Sequence, residues 1–373
     1  MNRYRFRIMT FFVGATLTTF SLLGTCDDKK NGDDAVTFRG NLARTGVYPK
    51  GAPEKLTEKI FEFQTQGEVW SPPTVSGGIV YFGSFDNCLY AVNAKTGKQK
   101  WKFKTENIIF SSPAVSDGIV YFGSDDCCFY AIDAKTGKQK WKFKTEGQVD
   151  SSPAVSDGIV YFGSFDNCLY AVDAKTGQKK WKFKTKGSVW SSPAVSGGII
   201  YFGSHDNCLY AVDAKTRKEK WKFKTGGFVR SSPAVSGGIV YFGSYDKCLY
   251  AVDAKTGKIK WKFKTKNRVN SSPAISGGIV YFGSWDDCLY AVDAKTGKVK
   301  WKFETKSEVT SSPAVSGDVV CFGSNDGCLY AIDAKTGQEK WRFKTRGQIR
   351  SSPAISDGIV YFGSWDGCLY GIK

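Results

Sequence analysis

A single histidine, His205, stands in 373 residues, and that scarcity excludes a good deal of chemistry. A Ser-His-Asp triad would have to pass through it, and nothing marks a partner nucleophile. A lone histidine in a turn is ordinarily a solvated side chain. Histidine-rich and cysteine-histidine metal clusters are excluded on the same count. Apolar runs of the helix-forming kind are scarce after the first 25 residues. Acid is also short, with 35 Asp and Glu against 53 Lys and Arg, a formal net charge of +18. That balance is compatible with an acidic partner, an anionic membrane surface or nucleic acid, and it is silent on fold. What is abundant is aromatic side chain, 15%, and glycine, 41 residues. Together these suit many short strands joined by tight turns.

The N-terminus reads as a processing segment. Arg3, Arg5 and Arg7 precede an uncharged stretch from Ile8 to Leu23 that is short for a membrane-spanning helix. Leu22-Leu23-Gly24-Thr25-Cys26 resembles a bacterial lipobox, with Thr25 in place of the usual small residue before the cysteine. The expectation is a leader over residues 1–25 and a lipid anchor on Cys26. Residues 26–56 are polar and read as a tether, whose stretch from Thr37 to Gly46 carries apolar residues able to pack on the domain.

Residues 57–373 are one repeat. Ser-Pro motifs begin at Ser71, Ser111, Ser151, Ser191, Ser231, Ser271, Ser311 and Ser351, every 40 residues. The unit SSPAVSDGIVYFGSFDNCLYAVDAKTGQKKWKFKT, from Ser151 to Thr185, predicts strands over Ser151–Ser156, Ile159–Ser164, Cys168–Asp173 and Lys179–Thr185, with Gly, Asp and Asn in the turns. Four short strands per 40 residues make a propeller blade. The last unit stops after its third strand, and Lys59 to Thr65 matches the missing fourth, with Phe61 in the tryptophan place. The fold expected is therefore all-β: an eight-bladed β-propeller of four-stranded antiparallel blades, closed by the N-terminal strand.

The unit resembles the pyrroloquinoline quinone (PQQ) repeat, Ala-x-Asp-x-x-x-Gly-x-x-x-Trp, through Ala171, Asp173, Gly177 and Trp181. The resemblance implies that Trp101, Trp141, Trp181, Trp221, Trp261, Trp301 and Trp341, with Phe61, dock each blade on the next. Departures are Phe61, Asn93, Gly371, Lys373 and Arg217, the last where the loop glycine belongs and where a left-handed backbone is expected. Two branches of the family bear on function. Quinoprotein dehydrogenases hold PQQ and calcium; BamB-like lipoproteins are non-catalytic. The lipobox-like start and the want of insertions for a lid or haem domain favour the second branch, with no cofactor.

Two columns vary between copies while the rest hardly change. One comprises Trp70, Phe110, Asp150, Trp190, Arg230, Asn270, Thr310 and Arg350; the other Phe85, Asp125, Phe165, His205, Tyr245, Trp285, Asn325 and Trp365. Alternating strand direction puts both on one rim. Four tryptophans outside the docking position, Trp70, Trp190, Trp285 and Trp365, all fall here, a bias that drift at loops does not explain. Other patterns read as structural. The eight equivalent cysteines, Cys88 to Cys368, are too far apart for bridges and suit small buried hydrophobes. Adjacent Cys127 and Cys128 evoke the vicinal pair of the dehydrogenases, but Cys128 is simply the repeat cysteine. The turn aspartates, such as Asp166, suit bonds to their own backbone, and Lys100, Lys102 and Lys104 suit a solvated outer strand that resists aggregation.

The reading reached is an exported, lipid-anchored envelope propeller, monomeric and facing the periplasm, with the outer membrane favoured over the inner. It binds a protein partner through the variable rim and does not bind nucleic acid. Alternatives are a PQQ- and calcium-dependent dehydrogenase or PQQ-binding protein, and a carbohydrate-binding propeller.

Overall fold

The computed structural model describes residues 38–49 and 51–373; the leader, Cys26 and the first part of the tether lie outside the described residues. Thirty-two strands form eight separate four-stranded antiparallel sheets, the expected propeller. In the third blade Ala154–Ser156, Ile159–Gly163, Cys168–Asp173 and Lys179–Lys184 pair in chain order from the axis outward. The innermost strand is shorter than expected because Ser151, Ser152 and Pro153 are not free to pair. Proline has no N–H, and the serines bond around the axis instead. The Ser111 hydroxyl donates to the Ser151 carbonyl and Ser151 to Ser191, each at 3.2 Å, while the Ser112 and Ser152 amides donate to the Ser152 and Ser192 hydroxyls at 3.0 and 2.9 Å. The recurring Ser-Ser-Pro is thus a hydrogen-bonded girdle lining the central channel.

Closure follows the expectation. Lys59–Gln64 pairs antiparallel with Cys368–Ile372, setting Phe61 opposite Gly371 and Glu62 opposite Tyr370, so both chain segments share the eighth sheet. The outermost strands alternate as the lysine pattern demands: Lys100, Lys102 and Lys104 are exposed while Trp101 and Phe103 turn inward.

Blades dock through one small motif. Trp141 Nε1 and the Tyr121 hydroxyl both donate to the Ala174 carbonyl of the next blade, at 3.0 and 3.1 Å. The indole lies on Gly177, whose φ of +70° and missing side chain let the ring approach; a Cβ there would sit 2.6 Å from the ring. Burial of each such indole stabilises by about 2 kcal/mol. For Trp341 the acceptor comes from the tether: its Nε1 donates to the Pro53 carbonyl at 2.8 Å. Where Phe61 has no N–H to give, the Tyr361 hydroxyl alone bonds Ala94, at 3.1 Å.

Arg217 does adopt the left-handed conformation, φ +65°, with a Cβ that every other complete blade avoids by having glycine. Replacing it with glycine is expected to raise stability by about 0.5–1 kcal/mol, read as a higher urea midpoint with an unchanged slope.

The segment from Phe38 to Tyr48 fills part of the channel. Backbone amides of Val195, Val235, Ile275 and Val315, on the innermost strands of four consecutive blades, donate to the carbonyls of Leu42, Ala43, Thr45 and Gly46 at 2.8–2.9 Å. Val47 makes a parallel bridge to Val315. Arg39 and Arg44 are both buried among these strands.

Candidate binding rim

Connections between blades and the turns joining second and third strands build one rim. The connection crosses the end of the second strand so closely that only glycine fits: a Cβ on Gly163 would collide with Val189. The turn aspartates fix this geometry. Asp166 accepts from the Cys168 amide at 3.1 Å, the Tyr170 hydroxyl at 2.6 Å and, across the blade boundary, the Glu146 amide at 3.2 Å. All its capacity goes to the scaffold, in line with the structural role expected.

Upon this frame the two variable columns meet, in three groups. In the first, Trp70 stacks on Trp365 with ring centroids 4.5 Å apart and on Phe85 at 4.9 Å, and Phe110 packs edge-on against both Trp70 and Phe85. Arg350 covers Trp365 and Trp70 at 4.2 and 4.9 Å and donates to Asn325, which also takes the Thr310 hydroxyl. Burial pulls the Arg350 guanidinium below its ordinary range. In the second, Phe165 packs on Trp190 at 4.8 Å, and His205 lies near both. Arg230 sits 3.1 Å from the Trp190 centroid and donates to the Tyr245 hydroxyl at 2.7 Å; Tyr245 in turn meets Trp285. Desolvation, then the Arg230 charge, lowers the His205 imidazole to about 4, leaving it neutral at pH 7. The third is the pair Asp125 and Asp150, 9% and 7% exposed. Burial raises both carboxyls above the ordinary carboxylate range, Asp150 well above, and the neighbouring Asp125 adds to the rise at Asp150. Asn270 joins none of these groups.

A third variable column went unnoticed in the sequence, two residues before the first. It contains Glu68, Phe228, Arg268, Glu308 and Gln348 among others. Comparing the copies column by column would have found it. Phe228, 44% exposed, stacks on His205 at 4.7 Å; Arg268 lies over Tyr245 and Trp285 at 4.9 and 5.2 Å. Glu68 takes the Trp70 indole N–H and Glu308 the Asn325 amide. With this column the rim is polarised. Glu68, Glu106, Asp125, Glu146 and Asp150 lie in the first three blades; Lys186, Arg230, Lys247, Lys266 and Arg268 lie in the fourth to sixth, against one varying acid there, Asp287.

Buried side-chain polar atoms without a partner gather here as well. Ten exist among the described residues, and six belong to the two predicted columns: Asp125 Oδ1, Asp150 Oδ1, His205 Nε2, Arg230 Nε, Trp285 Nε1 and Trp365 Nε1. The remaining four are Arg39 Nη1, Asn207 Oδ1, Asp286 Oδ1 and Gln348 Oε1, so the open donors and acceptors are concentrated on the rim but not confined to the two columns.

The fold family raises PQQ with calcium, and the calcium part can be tested against the residues present. Calcium takes six to eight oxygen ligands, and among the described residues no three His, Cys, Asp or Glu converge as a metal site. Cys127 and Cys128 are both free thiols, the second buried like the other repeat cysteines.

Eight sectors of this repeat around one channel define a β-propeller of the PQQ-repeat class. The family model described as outer membrane protein assembly factor BamB matches residues 57–109, 106–192, 185–301 and 286–373, and the chain belongs to that family. No curated protein matches the sequence. Among solved structures, BamB from Moraxella catarrhalis is 18% identical, with a TM-score of 0.74 over 85% of this chain and 99% of that one. The quinohemoprotein alcohol dehydrogenase from Comamonas testosteroni is 17% identical, with a TM-score of 0.78 over 91% and 80%. The computationally designed Ika8 protein is 20% identical, with a TM-score of 0.77 over 85% and 100%. At these identities the likeness is one of fold.

Proposed function

We propose that the chain is a non-catalytic scaffold of the cell envelope that binds a protein partner through the variable rim, as an outer-membrane assembly factor of the BamB kind would. The observation that carries this is the concentration of aromatic side chains, arginines and unpartnered polar atoms on one rim of an otherwise uniform ring. Large rigid aromatics and arginine supply most of the energy at protein interfaces. Family membership supports an envelope setting. In this reading residues 1–25 are a leader, Cys26 carries the lipid that holds the protein facing the periplasm at the outer membrane, and the propeller is a monomer.

The test compares capture of envelope proteins by the native chain and by the triple variant Trp190→Ala, Trp285→Ala, Trp365→Ala. Capture is expected to fall at least tenfold for any specific partner; equal recovery removes the rim from the function. A parallel assay supplies PQQ and calcium and follows dye reduction with alcohols and sugars, where turnover would return the chain to the dehydrogenases.

A further inference from the structure

The partner's chemistry is written in the basic half of the rim. Resting on the reading of this rim as a protein-binding face, we propose that the bay formed by Trp190, Arg230, Tyr245, Arg268 and Trp285 receives an acidic segment of the partner, its carboxylates held by the two arginines.

Three observations converge. First, neither arginine has a carboxylate partner among the described ion pairs, although eleven such pairs occur elsewhere on the chain. Both lie instead over aromatic rings, Arg230 at 3.1 Å from the Trp190 centroid and Arg268 at 4.9 Å from that of Tyr245. Arg230 spends one N–H on the Tyr245 hydroxyl, and the remaining N–H groups of the two side chains can still meet a carboxylate. Second, the unpartnered buried atoms in this bay include two N–H donors, Arg230 Nε and Trp285 Nε1. A buried donor left open costs about 1–3 kcal/mol, a cost an incoming acceptor removes. Third, charge is split across the ring. Glu68, Glu106 and Glu146 on the far arc repel a long polyanion laid across the whole rim, so the bay selects a short acidic stretch. Phe228, 44% exposed at the edge of the bay, offers an apolar neighbour for a flanking side chain.

Fluorescence anisotropy with fluorescein-labelled octaglutamate and octaglutamine, on the full chain, tests this. Octaglutamate is expected to bind at least tenfold more tightly than octaglutamine, to weaken as salt rises, and to shift the tryptophan emission. The double variant Arg230→Gln, Arg268→Gln is expected to lose at least tenfold. A control that removes two equally cationic residues from the outer strands, Lys222→Gln, Lys262→Gln, is expected to change affinity by less than twofold. Urea midpoints of both variants confirm folding, and Arg230→Lys, Arg268→Lys, which keeps charge but not the planar fork, is expected to fall between. Equal binding of the two peptides, or equal losses in the arginine and lysine variants, overturns the proposal. If it is overturned while the triple tryptophan variant still loses its partner, acid preference falls and the protein-binding rim stands; if that variant captures normally, both fall.

Discussion

Arg44→Ala is expected to lower the free energy of unfolding by about 3 kcal/mol, among the largest effects of any single change outside the blade cores. The side chain is fully buried in the channel. Its Nε donates to the Pro193 carbonyl at 2.5 Å, Nη1 to Phe38 at 3.0 Å, and Nη2 to Ser152 and Pro153 at 3.0 and 3.1 Å. No carboxylate meets it; burial, followed by the charge of Arg39, pulls the guanidinium well below its ordinary range. A buried cation without a counter-ion is costly, so the four charge-assisted bonds must outweigh that cost for the segment to stay in place. Truncation leaves the carbonyls of two blades without donors, each worth about 1 kcal/mol net, with water recovering part. Arg44→Lys does not rescue fully, since one ammonium cannot span the same fork. The check is a urea midpoint together with trypsin sensitivity at Arg39: the variant should be cut in the native state. A stability within about 0.5 kcal/mol of the parent and an uncut Arg39 would show that the segment holds without this side chain.

That arginine marks where the sequence was readable and where it was not. The strands, eight sectors and closure of the ring were legible because the 40-residue period repeats one physical solution eight times, and Lys59–Gln64 could be matched to its missing place by pattern alone. The turn aspartates were legible for the same reason, since each recurs with the same neighbours, whereas the docking role of the indoles came from the resemblance to the PQQ repeat. Arg39, Arg44 and Pro53 occur once. Nothing in the tether's composition indicates that its carbonyls at Leu42, Ala43, Thr45 and Gly46 complete four inner strands, or that Pro53 offers the carbonyl that the Trp341 indole bonds. On the rim the two columns were found from variability, but their grouping depends on which side chains reach across blade boundaries. Trp70 and Trp365 are 295 positions apart in sequence and stacked in space.

At pH 8 the Asp150→Asn variant is expected to be more stable than the parent by at least about 1 kcal/mol, with the advantage vanishing toward pH 4. Burial, then the hydrogen bond and charge of Asp125, hold the Asp150 carboxyl well above the usual range, and only the Arg230 charge opposes them. The folded chain therefore keeps a proton that the unfolded chain releases. Between the ordinary aspartate value, near 4, and the raised one, the native state binds more protons than the unfolded state, so stability falls as pH rises. The contribution is complete below the unfolded value and is lost on climbing through the folded one. Asparagine keeps the shape and can donate an N–H to Asp125 without a titrating proton, so the penalty disappears. Asp133, Asp173 and Asp253 carry the opposite slope, their carboxyls lowered to about 2 by bonds to the loop threonine and lysine, but they are common to both proteins and cancel in the difference. Parallel stability curves for parent and variant from pH 4 to 8 would mean that the two carboxyls do not share a proton.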